Sequence, residues 1–529
     1  MALASAASRL TGFLRSLAIA AAIGLELVGD AYNTANTLPN IVYELLLGGV
    51  LTSVVVPLLV HAQERDADGG EAYTQRLLSL ATVALAVATA LAVLSAPLLT
   101  ALYVGSGSSK AHLTTVFAWL LLPEIFFYGL GAMFGAILNT RGVYGPAAWA
   151  PVLNNLVVIV TAGVFMLVSG SATPTPATIS TTQVLVLGIG TTLGIVLQAL
   201  VLIPSLRRSG FHWRWRLDLH DSRLSTAGTL TLWVIGYVVV SQIGYVVVTR
   251  MANEVRAAGR GYAVFTNASL LFQMPYGVLG VSLLTALMPR MSRAAARGDR
   301  ARVVADLSLG SRLSALALVP VTAAFIVLGP AIGTVVYAHG HTTADAARQV
   351  GVVLAASAFG LVPFAITMLQ LRVFYAVQDA RTPTLINIGM VAGKIALCVV
   401  VAVALPDRQV VTGLAVATSL SYVIGVLIGE RLLRQRFGPL GGGEVVRTTV
   451  RIAAFSTAGG IAAWGTAALV DRWLGTGVVG SGVAVLLGSA VGLAVLAVLV
   501  ARSRFAELDE LFRGTRRGSR RPGGRHRAR

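Results

Sequence analysis

Residues 8–63 read SRLTGFLRSLAIAAAIGLELVGDAYNTANTLPNIVYELLLGGVLTSVVVPLLVHAQ, two apolar segments with Arg9 and Arg15 set into the first of them. A guanidinium at the centre of a lone membrane helix costs about 2.5–3.5 kcal/mol on insertion scales, so such residues usually face a bundle interior or a water-filled cavity. Because six residues turn a helix through roughly 600°, the two side chains lie about 120° apart around its axis. The stretch therefore predicts a bundle of membrane helices around a cationic cavity that binds an anion.

Simpler interpretations of both arginines remain open. Arg9 can extend its aliphatic stem along the helix and place its charge at the cytoplasmic surface. Arg15 can pair with Glu26 or Asp30, which follow in the same stretch. In either case the arginine contacts no cargo.

The composition of the whole chain is that of a polytopic membrane protein. Of its 529 residues, 56% are hydrophobic and 12% are charged, whereas soluble domains carry about 25% charged residues. A net charge of +19 would suggest nucleic acid as the partner of a soluble protein, but here the arginines follow the loops between apolar runs, so no nucleic acid is expected. The single cysteine, Cys398, excludes a disulfide within the chain and a cysteine-based metal site.

Fourteen apolar runs are long enough to cross a membrane, for which about 20 residues over roughly 30 Å of hydrocarbon are needed. An even number of spans places both termini on one side, and the connections on that side carry most of the Lys and Arg residues outside the spans. By the positive-inside rule both termini are cytoplasmic, and the predicted fold class is an all-α polytopic membrane protein with about 14 transmembrane helices. The predicted spans are 5–28, 33–61, 75–104, 112–139, 145–169, 180–205, 224–250, 261–289, 308–337, 346–376, 382–405, 409–435, 446–470 and 477–501.

The two halves of the chain share local patterns of Gly, Pro, Arg and Asn. Residues 49–57 in the second predicted helix resemble residues 280–289 in the eighth, and residues 141–154 resemble residues 381–387, again six helices later. Internal repeats are common in transporters, whose substrate lies between the repeats. We therefore predict two six-helix lobes, two additional helices and a basic cytoplasmic tail that binds anionic lipid headgroups. The predicted boundaries are 1–221 for the N-lobe, 222–440 for the C-lobe, 441–503 for helices 13 and 14, and 504–529 for the tail.

Short motifs recur along the chain and are specific in combination. They comprise SRLTGFLR at 8–15, Asp30-Ala31-Tyr32, Leu38-Pro39-Asn40, Pro57, and the segments 135–155, 275–281 and 378–383. In these motifs, over about residues 5–440, the chain resembles the MurJ/MviN family, the lipid II flippases of bacterial cell-wall synthesis. The resemblance implies a transporter, not an enzyme. Such a protein moves an undecaprenyl-diphosphate-linked peptidoglycan precursor from the cytoplasmic to the outer leaflet of the bacterial cytoplasmic membrane by alternating access.

The resemblance also implies which residues bind the lipid diphosphate. On direct motif matches, Arg9 and Arg15 are carried over as the diphosphate-binding residues and Asp30 as a residue that supports the cavity. Arginine suits diphosphate because its planar fork holds two oxygens at once. In two places the chain departs from the family. The paired arginines after Leu-Pro-Asn appear here as Tyr43 and Glu44, and the arginine of helix 8 aligns with Leu270.

Arg260 is the predicted substitute for the missing helix 8 charge, with the alternative that Arg250, Arg256 and Arg260 form an external cluster. Five further polar residues are predicted to support the cavity. They are Asn40, Asn154, Gln273, Asn387 and Lys394.

The sequence predicts neither a cofactor nor a metal site. Some members of the resembled family bind sodium between helices 7, 11 and 12, but helix 11 here offers Asn387 and Lys394 and no acid, so the membrane potential is the expected energy source. An enzyme acting on prenyl diphosphates would need clustered carboxylates for Mg²⁺. The acids in or near the predicted spans are instead scattered, at Glu26, Asp30, Glu44 and Glu124.

Two alternative functions stay open. The chain can export another lipid-linked oligosaccharide, because a cationic cavity selects the diphosphate and not the sugar. It can also be a non-transporting scaffold of the cell-wall machinery, although a scaffold gains nothing from the insertion cost of intramembrane arginines. Proteins of cell-wall synthesis or division are a partner class that the sequence neither requires nor excludes.

Overall fold

The computed structural model describes residues 2–45, 55–66, 68–170, 173–216, 228–255, 261–377 and 379–503. In these ranges the chain is helical and contains no strand, which confirms the predicted all-α fold class. The helices are α1 (Ala2–Ile23), α2 (Leu27–Leu45), α3 (Val56–Arg65), α4 (Glu71–Leu94), α5 (Ala96–Val104), α6 (Ser109–Leu121), α7 (Glu124–Thr140), α8 (Gly145–Ser169), α9 (Thr181–Leu200), α10 (Ile203–Arg208), α11 (Gly228–Glu254), α12 (Tyr262–Pro275), α13 (Val281–Ala296), α14 (Arg300–Tyr337), α15 (Ala344–Ser357), α16 (Leu361–Ala376), α17 (Arg381–Ala404), α18 (Asp407–Phe437), α19 (Gly442–Leu474) and α20 (Val478–Ser503).

Twelve helical segments of the described chain are long and apolar enough to cross a membrane. They coincide with twelve of the fourteen predicted spans, so the predicted number is approximate. The other two predicted spans, the second and the eighth, are divided. The second consists of α2 and α3 with residues 46–54 outside the described chain, and the eighth consists of α12 and α13 joined by a π-helical turn at Tyr276–Gly280.

The π-helical turn begins directly after Pro275. Proline has no backbone N–H and its ring crowds the preceding turn, so it disrupts the regular hydrogen-bond ladder of an α-helix. A π-helical turn is rare and occurs mostly at functional positions of helices. The regular α-helical hydrogen bonding of the eighth span is therefore interrupted directly after Pro275.

Several helices begin where a polar side chain caps the first turn. Ser108 Oγ accepts a hydrogen bond from the Ala111 amide (3.0 Å), and Ser180 forms a reciprocal capping box with Gln183. These side chains satisfy amides that have no partner within the helix. The capping serines thus mark the start of these helices in the sequence.

Helices α1–α10 pack mainly among themselves, as do α11–α18. We call these groups the N-lobe and the C-lobe, following the predicted division, whose boundaries at 221 and 440 stay predictions. Helices α19 and α20 pack against each other and against α14. Gly459 and Gly492 allow close approach there, because a Cβ on Gly459 would lie 2.7 Å from the Gly492 carbonyl oxygen.

Candidate functional site

Asp30 lies at the end of the bundle opposite the N-terminus of α1, which we call the distal end. Helix α12 begins there after Gly261, a residue without a side chain that could cap it. The Asp30 carboxylate takes this role from the other lobe, since its Oδ1 accepts a hydrogen bond from the Ala263 amide at 2.7 Å. A Cβ on Gly261 would lie 2.7 Å from the Asp30 Cγ, so the carboxylate occupies the space that glycine leaves free.

The second carboxylate oxygen of Asp30 is paired with Lys110 of α6. The Lys110 Nζ lies 3.2 Å from Asp30 Oδ2 and donates a hydrogen bond to the Asn253 carbonyl oxygen in the C-lobe at 2.8 Å. The two charged side chains are only 8% and 4% exposed. Asn253 returns a hydrogen bond to Thr34 Oγ1 at 2.9 Å. We call Asp30, Thr34, Lys110, Asn253 and the Ala263 amide the distal cluster.

In a second contact between the lobes the roles are reversed, and a loop of the C-lobe donates hydrogen bonds to the end of a helix of the N-lobe. The last carbonyl groups of α1 accept hydrogen bonds from the loop between α14 and α15, the Ala20 oxygen from Thr342 Oγ1 at 2.7 Å and the Ala21 oxygen from the His341 amide at 2.8 Å. Gly340 permits this approach, because it has φ +60° and a Cβ there would overlap with Ala21. Each lobe therefore completes the end of a helix that belongs to the other lobe.

Arg9 lies near the proximal end, where α1 begins. Its side chain is exposed and crosses towards the C-lobe, where Nη1 occupies the space that a Cβ at Gly277 of the π-helical turn would take. Within the described chain Arg9 forms no ion pair. The predicted role of Arg9 towards cargo, and the alternative that it places its charge at the cytoplasmic surface, both stay predictions.

Arg15 points into the N-lobe. The half-buried guanidinium acts electrostatically on Tyr32 of α2 and Glu124 of α7. Within the described chain it pairs with neither Glu26 nor Asp30, so the interpretation of Arg15 as the partner of either acid is wrong for this conformation. Within the described chain, no carboxylate lies in ion-pair contact with Arg15.

Arg372 of α16 is a further arginine near the π-helical turn. Its side chain is exposed, and its charge acts on three tyrosine rings, Tyr237 of α11, Tyr276 of the π-helical turn and Tyr375 of its own helix. Because Tyr276 directly precedes Gly277, Arg372 and Arg9 approach the same turn from different lobes. The sequence shows Arg372 as one more intramembrane cation, without a motif that marks it for the site.

The five further residues that were predicted to support the cavity lie in different parts of the molecule. Gln273 of α12 is exposed, whereas Asn40 accepts a hydrogen bond from Tyr128 Oη at 3.1 Å inside the N-lobe. Asn154 is buried against α9. Asn387 joins α17 to α11 through the Tyr237 carbonyl oxygen at 2.9 Å, and Lys394 lies against Gly244 and Cys398.

The arginines at the junction of the seventh and eighth spans are only partly described. Arg250 donates to Glu254 Oε1 at 2.6 Å and to the Ala101 carbonyl oxygen at 2.6 Å, on the exposed distal surface. This position fits the alternative of an external cluster for Arg250. Arg256 and Arg260, as well as the side chains of Tyr43 and Glu44, lie outside the described part of the chain.

A long apolar groove runs between the C-lobe and α19. Its volume is about 1240 Å³, and residues of α14, α16, α18 and α19 line it. Val362, Ile366 and Val450 contribute apolar surface, while Arg431 and Arg434 lie at the proximal end. Sequence reasoning did not identify this groove, because its walls come from four helices that are distant in the chain.

Known proteins resemble this chain over most of its length. The sequence model of the lipid II flippase MurJ family matches residues 19–498. A probable lipid II flippase MurJ of Rhizobium meliloti (strain 1021) is 27% identical over 424 residues, which are 78% of this chain and 76% of that protein. The lipid II flippase MurJ of Burkholderia cenocepacia is 27% identical over 392 residues, which are 72% and 73% of the two chains.

Solved structures show the same fold. A lipid II flippase MurJ in an inward closed conformation has a TM-score of 0.74 at 20% identity, covering 95% of this chain and 98% of that one. An inward-facing multidrug resistance MATE family transporter of the MOP superfamily has a TM-score of 0.65 at 15% identity, covering 81% and 95%. Because the family match runs through both lobes and into α20, the chain belongs to the lipid II flippase MurJ family.

Proposed function

We propose that this protein moves lipid II from the cytoplasmic to the outer leaflet by alternating access of its two lobes. The observation that carries the proposal is a difference in how charges are satisfied. At the distal end Asp30 and Lys110 neutralise each other in a buried pair. Arg9, Arg15 and Arg372 form no ion pair within the described chain and stand between or near the lobes. Unpaired intramembrane cations mark a site for an anion.

Arginine geometry suits the diphosphate of the cargo. A guanidinium can donate two parallel hydrogen bonds to one phosphate, and it remains charged in a poorly hydrated cavity. Arg9 and Arg372 approach the π-helical turn from opposite lobes, so an anion between them would connect the lobes. In this proposal Arg372 takes the place of the family arginines that this chain lacks. The apolar groove beside α19 accommodates part of the polyprenyl chain.

The proposed location is the bacterial cytoplasmic membrane with both termini in the cytoplasm. The distal cluster then faces outwards, and the described conformation loads its cargo from the cytoplasm. Single cysteines test this orientation, because the native Cys398 is buried. Cysteines at positions 175 and 344 should react with an impermeant thiol reagent applied outside, whereas cysteines at 68 and 442 should not. The inverse labelling pattern would reverse the proposed direction.

The membrane potential is the proposed energy source. An inside-negative potential favours outward movement of negative charge by about 2.3 kcal/mol per charge per 100 mV, and it draws uncompensated arginines of the empty protein back towards the cytoplasm. Collapsing the potential with a potassium ionophore, at constant pH gradient and sodium, should stop flipping. Continued flipping, with loss only on removal of sodium or the pH gradient, would assign the coupling to an ion site.

The direct experiment measures flipping of lipid II by the purified full-length protein in proteoliposomes. Arg15→Ala should lose nearly all flipping and Arg15→Lys should lose much of it, because lysine cannot form the two-pronged contact. Arg408→Ala, at an exposed position at the start of α18, serves as the matched control. Full flipping by Arg15→Ala would remove the proposed anion site.

Depletion of the protein in the native cell separates lipid II from other lipid-linked oligosaccharides. Accumulation of lipid II in the inner leaflet supports the proposed cargo. Accumulation of another diphosphate-linked lipid would support the alternative exporter. Normal distribution of all such lipids, with altered cell-wall assembly, would support the scaffold.

A further inference from the structure

Glu124, the first residue of α7, places its carboxyl group inside the N-lobe, where it has few hydrogen-bond partners. The residue is completely buried, and in the described part of the chain its Oε2 has no hydrogen-bond partner. Its Oε1 has one polar neighbour, Thr192 Oγ1, at 3.3 Å. A buried carboxylate without hydrogen bonds or a contacting cation is costly, and such a group usually avoids the cost by holding a proton.

The hydroxyl group of Thr192 is already committed elsewhere. It donates to the Leu120 carbonyl oxygen at 2.7 Å, a shorter and better bond than the contact with Glu124. A threonine hydroxyl has one hydrogen and two lone pairs. The contact with Glu124 is therefore a hydrogen bond only if Glu124 donates, and a carboxyl group donates only when it is protonated.

Few charged or titratable groups face Glu124. Arg15 of α1 and the Tyr32 phenol of α2 interact with it electrostatically, and the Tyr32 hydroxyl is bonded to Thr191 at 2.9 Å. Helices α8 and α9 carry no charged residue. The other helices around α7 carry their charged residues near the ends of the bundle, in the first turns of α2 and α6, in the first two turns of α4, at the end of α3 and in α10 (Asp30, Lys110, His112, Glu71, Arg76, Glu64, Arg65, Arg207 and Arg208).

We propose that Glu124 is a proton-binding site coupled to cargo loading, and that it shares Arg15 with the diphosphate of the lipid. The inference rests on the proposed function. When the diphosphate engages Arg15, Glu124 takes up one proton from water. When the lipid leaves, Arg15 turns towards Glu124, the carboxyl group releases its proton, and the two charges compensate each other.

This exchange changes the charge of the empty protein. With Glu124 ionised, the charge of Arg15 is cancelled inside the N-lobe, so Arg9 and Arg372 carry the exposed positive charge of the unloaded space. With Glu124 protonated, the full charge of Arg15 is available to the cargo. The described conformation fits the second arrangement, since Arg15 and Glu124 are not in ion-pair contact and the contact with Thr192 is a hydrogen bond only when Glu124 carries a proton.

Calorimetric binding of lipid II with a shortened prenyl chain to the full-length protein tests the inference. Both phosphates of lipid II are esterified, so the ligand lacks the second ionisation near pH 6 that phosphate monoesters have. Titrations between pH 5.5 and 8.5 in two buffers of different ionisation heat count the protons taken up. The wild type should take up close to one proton at the upper end of this range, with affinity falling by up to about tenfold per pH unit there.

Glu124→Gln should bind lipid II with no proton uptake and a flat pH profile, and Glu254→Gln, at the exposed distal surface, should behave like the wild type. A pH profile of Glu124→Gln that equals that of the wild type, or a flat profile of the wild type, would overturn the inference. Neither result would affect the proposal that lipid II is the cargo. Absence of lipid II binding by the wild type at every pH would instead remove the proposed function, and the inference with it.

Thr192→Val provides a second test that does not depend on the folding of Glu124→Gln. Valine removes the acceptor that the protonated carboxyl group uses, so the pH at which affinity begins to fall should move down by a few tenths of a pH unit. A shift to higher pH would show that Thr192 donates to an ionised carboxylate, which contradicts the inference.

Discussion

The distal and proximal ends of the space between the lobes are built in opposite ways. At the distal end Asp30, Lys110 and Asn253 are buried and bonded to one another across the lobes. Near the proximal end Arg9 and Arg372 are exposed and form no ion pair within the described chain. Charges that satisfy each other fix one conformation, whereas charges without a protein partner are available to a ligand. Under the proposed function, the comparison assigns the distal end the role of a seal and the proximal end the role of a binding surface.

Asp30→Ala should break the seal and have the largest effect. It leaves Lys110 buried without its partner, and removing one member of a buried pair costs about 3–5 kcal/mol. It also removes the acceptor for the Ala263 amide. We expect loss of flipping and faster hydrogen exchange at residues 261–265. Asp30→Asn with Lys110→Met is the matched control, because asparagine keeps an oxygen for the amide and no charge is left unpaired.

Equal exchange in Asp30→Ala and the wild type would contradict a seal at this position. Loss of flipping without faster exchange would place Asp30 among the residues that support the cavity, as the resemblance to the family alone implies.

The sequence predicted the composition of the seal only in part. The motif at 30–32 marked Asp30, but its partners Lys110, Asn253 and Ala263 are 80 to 233 residues away and belong to three different helices. No periodic pattern connects such positions. Helix number and type were predictable because about 20 apolar residues in a row permit little else in a membrane.

Arg372→Gln should weaken the binding surface and leave the seal unchanged. A charge-assisted hydrogen bond contributes about 1.5–3 kcal/mol, so we expect lipid II affinity to fall roughly tenfold or more. Hydrogen exchange at 261–265 should stay as in the wild type. An unchanged affinity would remove Arg372 from the proposed site, and altered exchange would show that the two ends are not separate.

Asp379→Asn changes a carboxylate at the start of α17 whose partners all belong to the C-lobe. It therefore serves as a comparison for Asp30, which caps α12 from the other lobe. Asp379 accepts hydrogen bonds from the Thr382 amide (3.0 Å) and hydroxyl (2.8 Å) and pairs with Arg436 at 2.6 Å. Burial opposes ionisation of this carboxyl, but these bonds outweigh it and hold its pKa below the usual 3.8. Asparagine keeps an oxygen for the Thr382 amide but removes the charge that pairs with Arg436, so the variant should lower the free energy of unfolding by up to about 1 kcal/mol, the range of a partly exposed ion pair.

The pH dependence of this effect has a definite sign. Because the pKa is lower in the folded protein, the stabilisation is present above the unfolded value of 3.8 and disappears as the pH falls through the lowered pKa. Unfolding of both proteins in detergent should therefore differ at pH 5–8 and converge below pH 3.8. Exchange at 261–265 should not change, since Asp379 joins parts of the C-lobe only. A difference that persists in acid would mean that the carboxylate charge does not stabilise the fold.

Thr342→Val should have the smallest effect at the distal end. Valine keeps the shape of threonine but cannot donate to the Ala20 carbonyl oxygen, and one hydrogen bond contributes about 0.5–1.5 kcal/mol. Exchange at residues 23–25 should rise slightly while flipping stays within about twofold of the wild type. A complete loss of flipping would indicate that the loop between α14 and α15, and not the distal cluster, closes the distal end.

The exchange of helix ends between the lobes also governs the order of assembly on the ribosome. The end of α1 receives its partner His341 after a further 319 residues have been made, which at about 5–20 residues per second takes roughly 16–64 s. Asp30 can accept its hydrogen bond from the Ala263 amide only after a further 233 residues have been made. The nascent N-lobe thus enters the membrane with the end of α1 bonded to water, and the lobes lock together only after the ninth span has been translated. A lobe produced alone would keep that open end permanently.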